Sequence, residues 1–169
     1  VQSIICVPGN RTTLSAHQES IDVKGVAWSG AGRGICRVEV SVDGGETFTA
    51  CETRTAPRGA NPPPESGQGR NHAWTQWEVT LPLPDNIKAQ LKNGTAVEME
   101  ICCKAIDGDF NVQPERMTHG WNVLGICVNH WSRVQVKLCP TVPPGEVKKA
   151  PCTPKPGSPY WGDGTPNRA

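Results

Sequence analysis

CRVEVSVDGGETF, residues 36–48, decides the fold class. Val38, Val40 and Val42 fall on one side of an extended chain while Arg37, Glu39 and Ser41 fall on the other, the two-residue period of a strand with one buried face. Asp43-Gly44-Gly45 then supplies the backbone freedom for a reversal. A two-residue loop at Asp43-Gly44 would pair Val40 with Thr47, whereas a three-residue loop ending at Gly45 pairs Val40 with Phe48 and Val38 with Ala50. The second register matches apolar to apolar and is the one expected. It sets Cys36 opposite Glu52 and sends Cys51 to the other face, which argues against a disulfide between the two cysteines.

The same alternation recurs along the chain. VEMEICCKA (97–105) sets Val97, Met99, Ile101, Cys103 and Ala105 against Glu98, Glu100 and Lys104, WEVTLPL (77–83) aligns Trp77, Val79, Leu81 and Leu83, and RVQVKL (133–138) aligns Val134, Val136 and Leu138. Shorter candidates lie at 3–6, 21–28 and 47–52, giving about seven strands and, at 87–91, one helical turn. Such spacing predicts an all-β sandwich of two antiparallel sheets. Residues 55–72, rich in Pro and Gly, read as a long loop that is either functional, as a contact loop, or mobile. From Pro140 the chain is too rich in Pro and Gly for sheet or helix and reads as an extended tail, 140–169, that could pack along a neighbour through Tyr160 and Trp161.

Composition limits the function classes. The 169 residues carry 17 basic and 16 acidic side chains, net +1, so neither nucleic acid nor an anionic membrane is an expected partner. No apolar run approaches the length of a membrane span, and VQSIICVPGN lacks the features of a signal peptide. The missing initiator Met makes Val1 read as a cut end. Eight cysteines, at 6, 36, 51, 102, 103, 127, 139 and 152, include no C-x-x-C pair and no zinc spacing. Cys6, Cys36, Cys103 and Cys127 lie in apolar or strand-like sequence and read as reduced core thiols. The triplets Asn10-Arg11-Thr12 and Asn93-Gly94-Thr95 do not decide the compartment.

WSGAGRG (28–34) raises the question of phosphate binding. A dinucleotide fingerprint needs G-x-G-x-x-G opening a helix, but the glycines here are Gly30, Gly32 and Gly34 and a strand follows. They read as a corner between strands, and Arg33 within it is a candidate for domain contact. No nucleophile elbow, H-E-x-x-H or triad stands out. Asp107 and Asp109 flank AIDGDFN, a turn in which Asp commonly bonds its own backbone. Of the six tryptophans, Trp74 and Trp77 have opposite parity, so their rings are expected on opposite faces. These features describe a binding or assembly module, with an interface at exposed aromatic rings.

In order, VKGVAWSGAGRGICRVEVSVDGGETF, AWTQWEV, CKAIDGDFNVQPE and GWNVLGICVNHWSRVQV resemble the C-terminal dimerisation domain of the sulfite oxidase and eukaryotic nitrate reductase family, over residues 1–139. The resemblance implies an immunoglobulin-like sandwich that forms a homodimer. It also implies a larger preceding domain that holds molybdenum on a pterin dithiolene and one cysteine thiolate, so no cofactor is expected on this segment and none of its residues is expected to be catalytic. The parent enzyme would oxidise sulfite to sulfate by oxygen-atom transfer at molybdenum, or reduce nitrate by the opposite transfer. A free-standing immunoglobulin-like binding module, monomeric in solution, is the contrasting reading.

By the resemblance, Trp121, Asn122, Leu124 and Gly125 lie at the edge of the active site, and Arg33 and Arg133 are candidates for contact with the preceding domain. In typical sulfite oxidases the position of Leu124 holds an arginine that reaches the anion pocket, and nitrate reductases tend to have an apolar residue there. Against that, VQSIIC, SGAGRGI and DFNVQPE resemble the sulfite oxidase side, which is the reading adopted. The resemblance leaves the compartment open among cytosol, mitochondrial intermembrane space, peroxisome and periplasm, the intracellular ones being favoured.

Overall fold

The computed structural model describes residues 1–54, 72–117, 122–126 and 128–149. In chain order the elements are β1 (Gln2–Val7), β2 (Thr12–Ser15), β3 (Ser20–Trp28), β4 (Ile35–Ser41), β5 (Thr49–Ala50), β6 (Glu52–Arg54), β7 (Thr75–Pro82), α1 (Asp85–Lys92), β8 (Val97–Asp107), β9 (Ser132–Cys139) and β10 (Lys148–Lys149). They form a four-stranded sheet, β1-β3-β7-β6, and a six-stranded sheet, β10-β2-β9-β8-β4-β5. The pairings are antiparallel except β2 with β9, which run parallel.

Alternation becomes burial as the sequence predicts. Val97, Met99, Ile101, Cys103 and Ala105 all point inward from β8, facing Val23, Ala27, Trp77 and Leu81 of the other sheet within one core. The result is the expected all-β, immunoglobulin-like sandwich. At the far end of β7, the expected helical turn is the two-turn helix α1, which buries Ile87.

The hairpin after β4 differs from the expected register. Val40 faces Thr49 and Glu39 faces Ala50, one step away from the pairing that would match Val40 with Phe48. The reason is polar. The Ser41 hydroxyl accepts the N–H of Gly45 at 2.9 Å, and the Asp43 carboxylate accepts the N–H groups of Glu46 and Thr47, each at 3.0 Å. These bonds hold residues 42–47 in a wider bend, because a satisfied backbone donor outweighs one apolar cross-strand match. Phe48 instead meets Trp131 edge to face, with centroids 5.1 Å apart.

The expected strand at 47–52 also divides. Cys51 donates its N–H to Val38 at 2.9 Å, after which the chain changes sheets and Thr53 pairs with Trp77. Cys36 therefore does not face Glu52. It occupies a bulge in β4 between Ile35 and Arg37, with its exposed thiol 3.2 Å from the carbonyl of Asp107. Cys6 likewise lies where β1 shifts register, between Ile5 and Val7, and is exposed. A bulge re-aims its side chain, which corrects the core placement expected for both. Cys103 is in the core as expected, and Cys127 lies outside the described residues. The described cysteines are all free thiols.

Beyond Pro140 the described chain stays on the sandwich, in contrast to the expectation that it forms no sheet. Val142 is buried and its carbonyl accepts the Ser15 hydroxyl at 2.8 Å, and Lys148 and Lys149 pair with Thr13 and Thr12. Residues 150–169, with Tyr160 and Trp161, and the long loop expected at 55–72, apart from His72, lie outside the described residues.

Candidate functional site

β3 and β8 end, and β4, β7 and β9 begin, at the same end of the sandwich. The connections 29–34 and 108–131 and the approach to β7 therefore gather there. Gln2 pairs with Trp28 and the Asn129 side chain donates to the Val1 carbonyl at 3.4 Å, so the first residue lies there too.

The corner at 29–34 is built by its glycines, which answers the question of phosphate binding. Gly32 and Gly34 both have φ of 70°, a region open to glycine at little cost, and the chain there steps from one sheet to the other. The close approach falls on Gly108, where a Cβ would stand 2.6 Å from the carbonyl oxygen of Arg33. Ser29 donates its hydroxyl to Asp107 at 2.7 Å, and Asp107 also accepts the N–H groups of Asp109 and Asn111 at 3.0 and 2.9 Å. Burial pushes the Asp107 carboxyl up, but the bonds from Ser29 and Asn111 and from these two backbone groups outweigh it and hold the pKa at about 2. Arg33 closes the corner, with Nε 2.6 Å from Asp109 and one Nη donating to the Gly30 carbonyl.

Gln113 anchors the long connection. Its Oε1 accepts the Ser3 hydroxyl at 2.6 Å and the Ala105 N–H at 2.8 Å, while its Nε2 donates to the carbonyls of Asn129 and His130 at 3.1 and 3.0 Å. Its own backbone carbonyl accepts the Trp131 indole N–H at 3.0 Å. Arg133 braces the same segment from the outer face of the six-stranded sheet, paired with Glu100 and 3.5 Å from Glu115, with its guanidinium 5.4 Å from the Trp131 ring centre. The sequence offered no local signal for Gln113, since its side-chain partners stand 8, 16, 17 and 110 residues away.

At the tip, Asn122 closes a short turn. Its side chain donates to the Ile126 carbonyl at 2.7 Å and accepts the Ile126 N–H at 3.0 Å, and Gly125 turns through a φ of 66°. The turn pushes apolar side chains into solvent: Val123 is 87% exposed, Leu124 80% and Ile126 61%. Phe110 and Val112 are exposed on the same connection. Contiguous apolar exposure of this kind marks an interaction surface. Of the sequence-predicted site residues, Asn122, Leu124 and Gly125 share this turn, Arg33 and Arg133 are held by partners within the chain, and Trp121 lies outside the described residues. Among the described residues no group of three or more His, Cys, Asp and Glu is placed to hold a metal ion. Nor is any described helix long and apolar enough to cross a membrane.

Residues 1–139 match the family model of the Mo-co oxidoreductase dimerisation domain. The chain belongs to this family. Mitochondrial sulfite oxidase of Drosophila melanogaster is 36% identical over 140 residues, covering 82% of the chain and 22% of that protein. The nitrate reductase of Hordeum vulgare is 32% identical over 143 residues, covering 82% of the chain and 14% of that enzyme. Among solved structures, the sulfane dehydrogenase SoxCD from Paracoccus pantotrophus matches 67% of the chain and 23% of that chain at 26% identity, with a TM-score of 0.41. As a Mo-co dimerisation domain, the chain thus spans about a fifth or less of the curated relatives it resembles.

Proposed function

We propose that residues 1–139 are the dimerisation and docking domain of a sulfite oxidase-like molybdenum oxidoreductase, with 140–169 as its tail. The parent enzyme would convert sulfite to sulfate, its molybdenum cofactor being held by a preceding domain. The observation that carries the docking role is the exposed apolar edge at Val123, Leu124 and Ile126, on the same connection whose Asn129 bonds the carbonyl of Val1. A domain joined before Val1 would enter at the end of the sandwich from which the connection carrying this edge departs. Asn122, Leu124 and Gly125, with Trp121 before them, would then border the substrate pocket, and Arg33 and Arg133 would stiffen the two connections that face the preceding domain. The free thiols suit an intracellular compartment, such as that of the mitochondrial relative.

A nitrate reductase-like parent is the second reading, favoured by the apolar Leu124. Steady-state sulfite oxidation and nitrate reduction by the full-length, molybdenum-loaded protein decide between them. Sulfite turnover with little nitrate reduction supports the first reading, and the reverse replaces it with the second.

A further inference from the structure

We infer that a second copy of this chain seats on the outer face of the four-stranded sheet. This rests on the dimerisation reading above and adds which of the two sheet faces is used.

The outer faces of the two sheets differ in what already covers them. On the six-stranded sheet, Glu39, Ser41 and Cys102 point away from the core, yet Glu39 is only 8% exposed and the other two less. The bend at 42–47 and the Trp131 ring lie over them: a Cβ on Gly45 would stand 2.9 Å from that ring and 3.7 Å from the Cys102 sulfur. Lys104 sits 3.7 Å above the Phe48 ring and 3.3 Å from Glu39. That face is sealed by its own side chains, and its remaining residues include the exposed Gln135 and Lys137.

On the four-stranded sheet nothing among the described residues lies over the outer face. Strand register sets Ile4 beside Val26 and places Trp28 next on the same face. Trp74 stacks on Trp28, with centroids 4.7 Å apart and planes at 14°, and remains 59% exposed, while Ile4 is 40% exposed. Beyond this apolar half the face carries both charge signs. Glu78 is bridged by Lys24 at 3.1 Å and by Arg54, and Asp22 accepts the Thr80 hydroxyl. A hollow of about 190 Å³ opens between the two halves, lined in part by Cys6, Val26 and Gln76.

A two-fold contact brings the same patch against itself, so the patch must be complementary to its own copy. Charges already bridged in opposite-sign pairs approach a copy without like-charge repulsion, and an apolar centre with aromatic anchors beside a polar rim is the usual anatomy of such an interface. The Lys24–Glu78–Arg54 cluster beside the Trp28–Trp74 stack meets both conditions, while the two further acids of this face, Asp22 and Glu52, lie away from the stacked rings.

Sedimentation equilibrium of the whole chain over a concentration series tests the assignment, with circular dichroism reporting that each variant is folded. The wild type is expected to dimerise. Trp74→Ala and Ile4→Lys are expected to raise the dimer Kd tenfold or more, and Lys137→Glu, on the other sheet, to leave it within about twofold. Trp74 precedes β7 and makes no ladder pairing, so Trp74→Ala decides the question if Ile4→Lys fails to fold. A wild-type Kd in both four-stranded-sheet variants, or a weakened dimer in Lys137→Glu, overturns the assigned face while leaving dimerisation intact. A wild type that stays monomeric at every concentration overturns the dimerisation reading itself.

Discussion

The hydroxyl of Ser3 and the side-chain carbonyl of Gln113 stand 2.6 Å apart, joining the first strand to a residue of the long apical connection. Because the same carbonyl takes the Ala105 N–H and the same amide reaches Asn129 and His130, one side chain ties together β1, β8 and the segment entering β9. Gln113→Ala leaves the buried Ala105 N–H unpaired and the Ser3 hydroxyl with only the Cys103 sulfur, 3.2 Å away, and is expected to cost roughly 1–3 kcal/mol in urea unfolding. Gln113→Glu keeps the acceptor and loses the two donors. Its expected signature is faster amide exchange at residues 126–131 with β8 unchanged, read by hydrogen exchange mass spectrometry.

Gly25 has no room for a side chain. A Cβ there would stand 2.1 Å from the Ile4 carbonyl oxygen and 2.3 Å from the Trp77 ring, so Gly25→Ala must push apart two strands or displace the largest buried side chain. The expected loss is about 3 kcal/mol, seen as a lower urea midpoint and a shift in Trp77 fluorescence. Gly30→Ala meets nothing within 4 Å and is the near-neutral comparison.

Strands and core were legible because core-facing residues follow a period of two, and β8 keeps that period in Val97, Met99, Ile101, Cys103 and Ala105 even though the outward Cys102 is buried as well. The register after β4 was not, because Ser41 and Asp43 reorganise the bend through side-chain bonds that a hydrophobic match does not capture. Cys6 and Cys36 were misplaced for a related reason: each sits on a one-residue irregularity that shifts parity locally. At the candidate site, Asn122, Leu124 and Gly125 came from resemblance, and Asp107 from its turn chemistry. The role of Gln113 depends on partners up to 110 residues away and has no local signature.

Acid sensitivity follows from Asp43 and Asp107, both held at about 2 in the folded protein. For Asp43, burial again pushes upward and is outweighed by bonds from Ser41, Thr47 and Glu46. In the unfolded chain each carboxyl titrates near 3.9, so the unfolded state binds more protons between those values. The stabilisation is complete above about pH 4 and is lost as pH falls toward 2. Comparing urea midpoints at about pH 6 and pH 3, the wild type should lose stability more steeply than Asp107→Asn, which has no charge to neutralise at that position. Equal slopes would show that Asp107 does not contribute.

Leu124→Arg tests the docking edge without disturbing the fold. The side chain is 80% exposed on a turn whose bonds belong to Asn122 and Gly125, so the substitution is expected to shift stability by no more than about 0.5 kcal/mol. In the full-length, molybdenum-loaded protein the result should be different. An arginine at the border of an anion pocket offers paired donors and a fixed charge, and a hydrogen bond to a charged group contributes about 1.5–3 kcal/mol, roughly a tenfold or greater fall in the KM for sulfite if the contact is made in ground and transition states alike. Unchanged KM and kcat in the variant would place Leu124 away from the substrate and remove this turn from the pocket edge, while leaving its role as an apolar docking surface to be judged from the stability of the full-length protein.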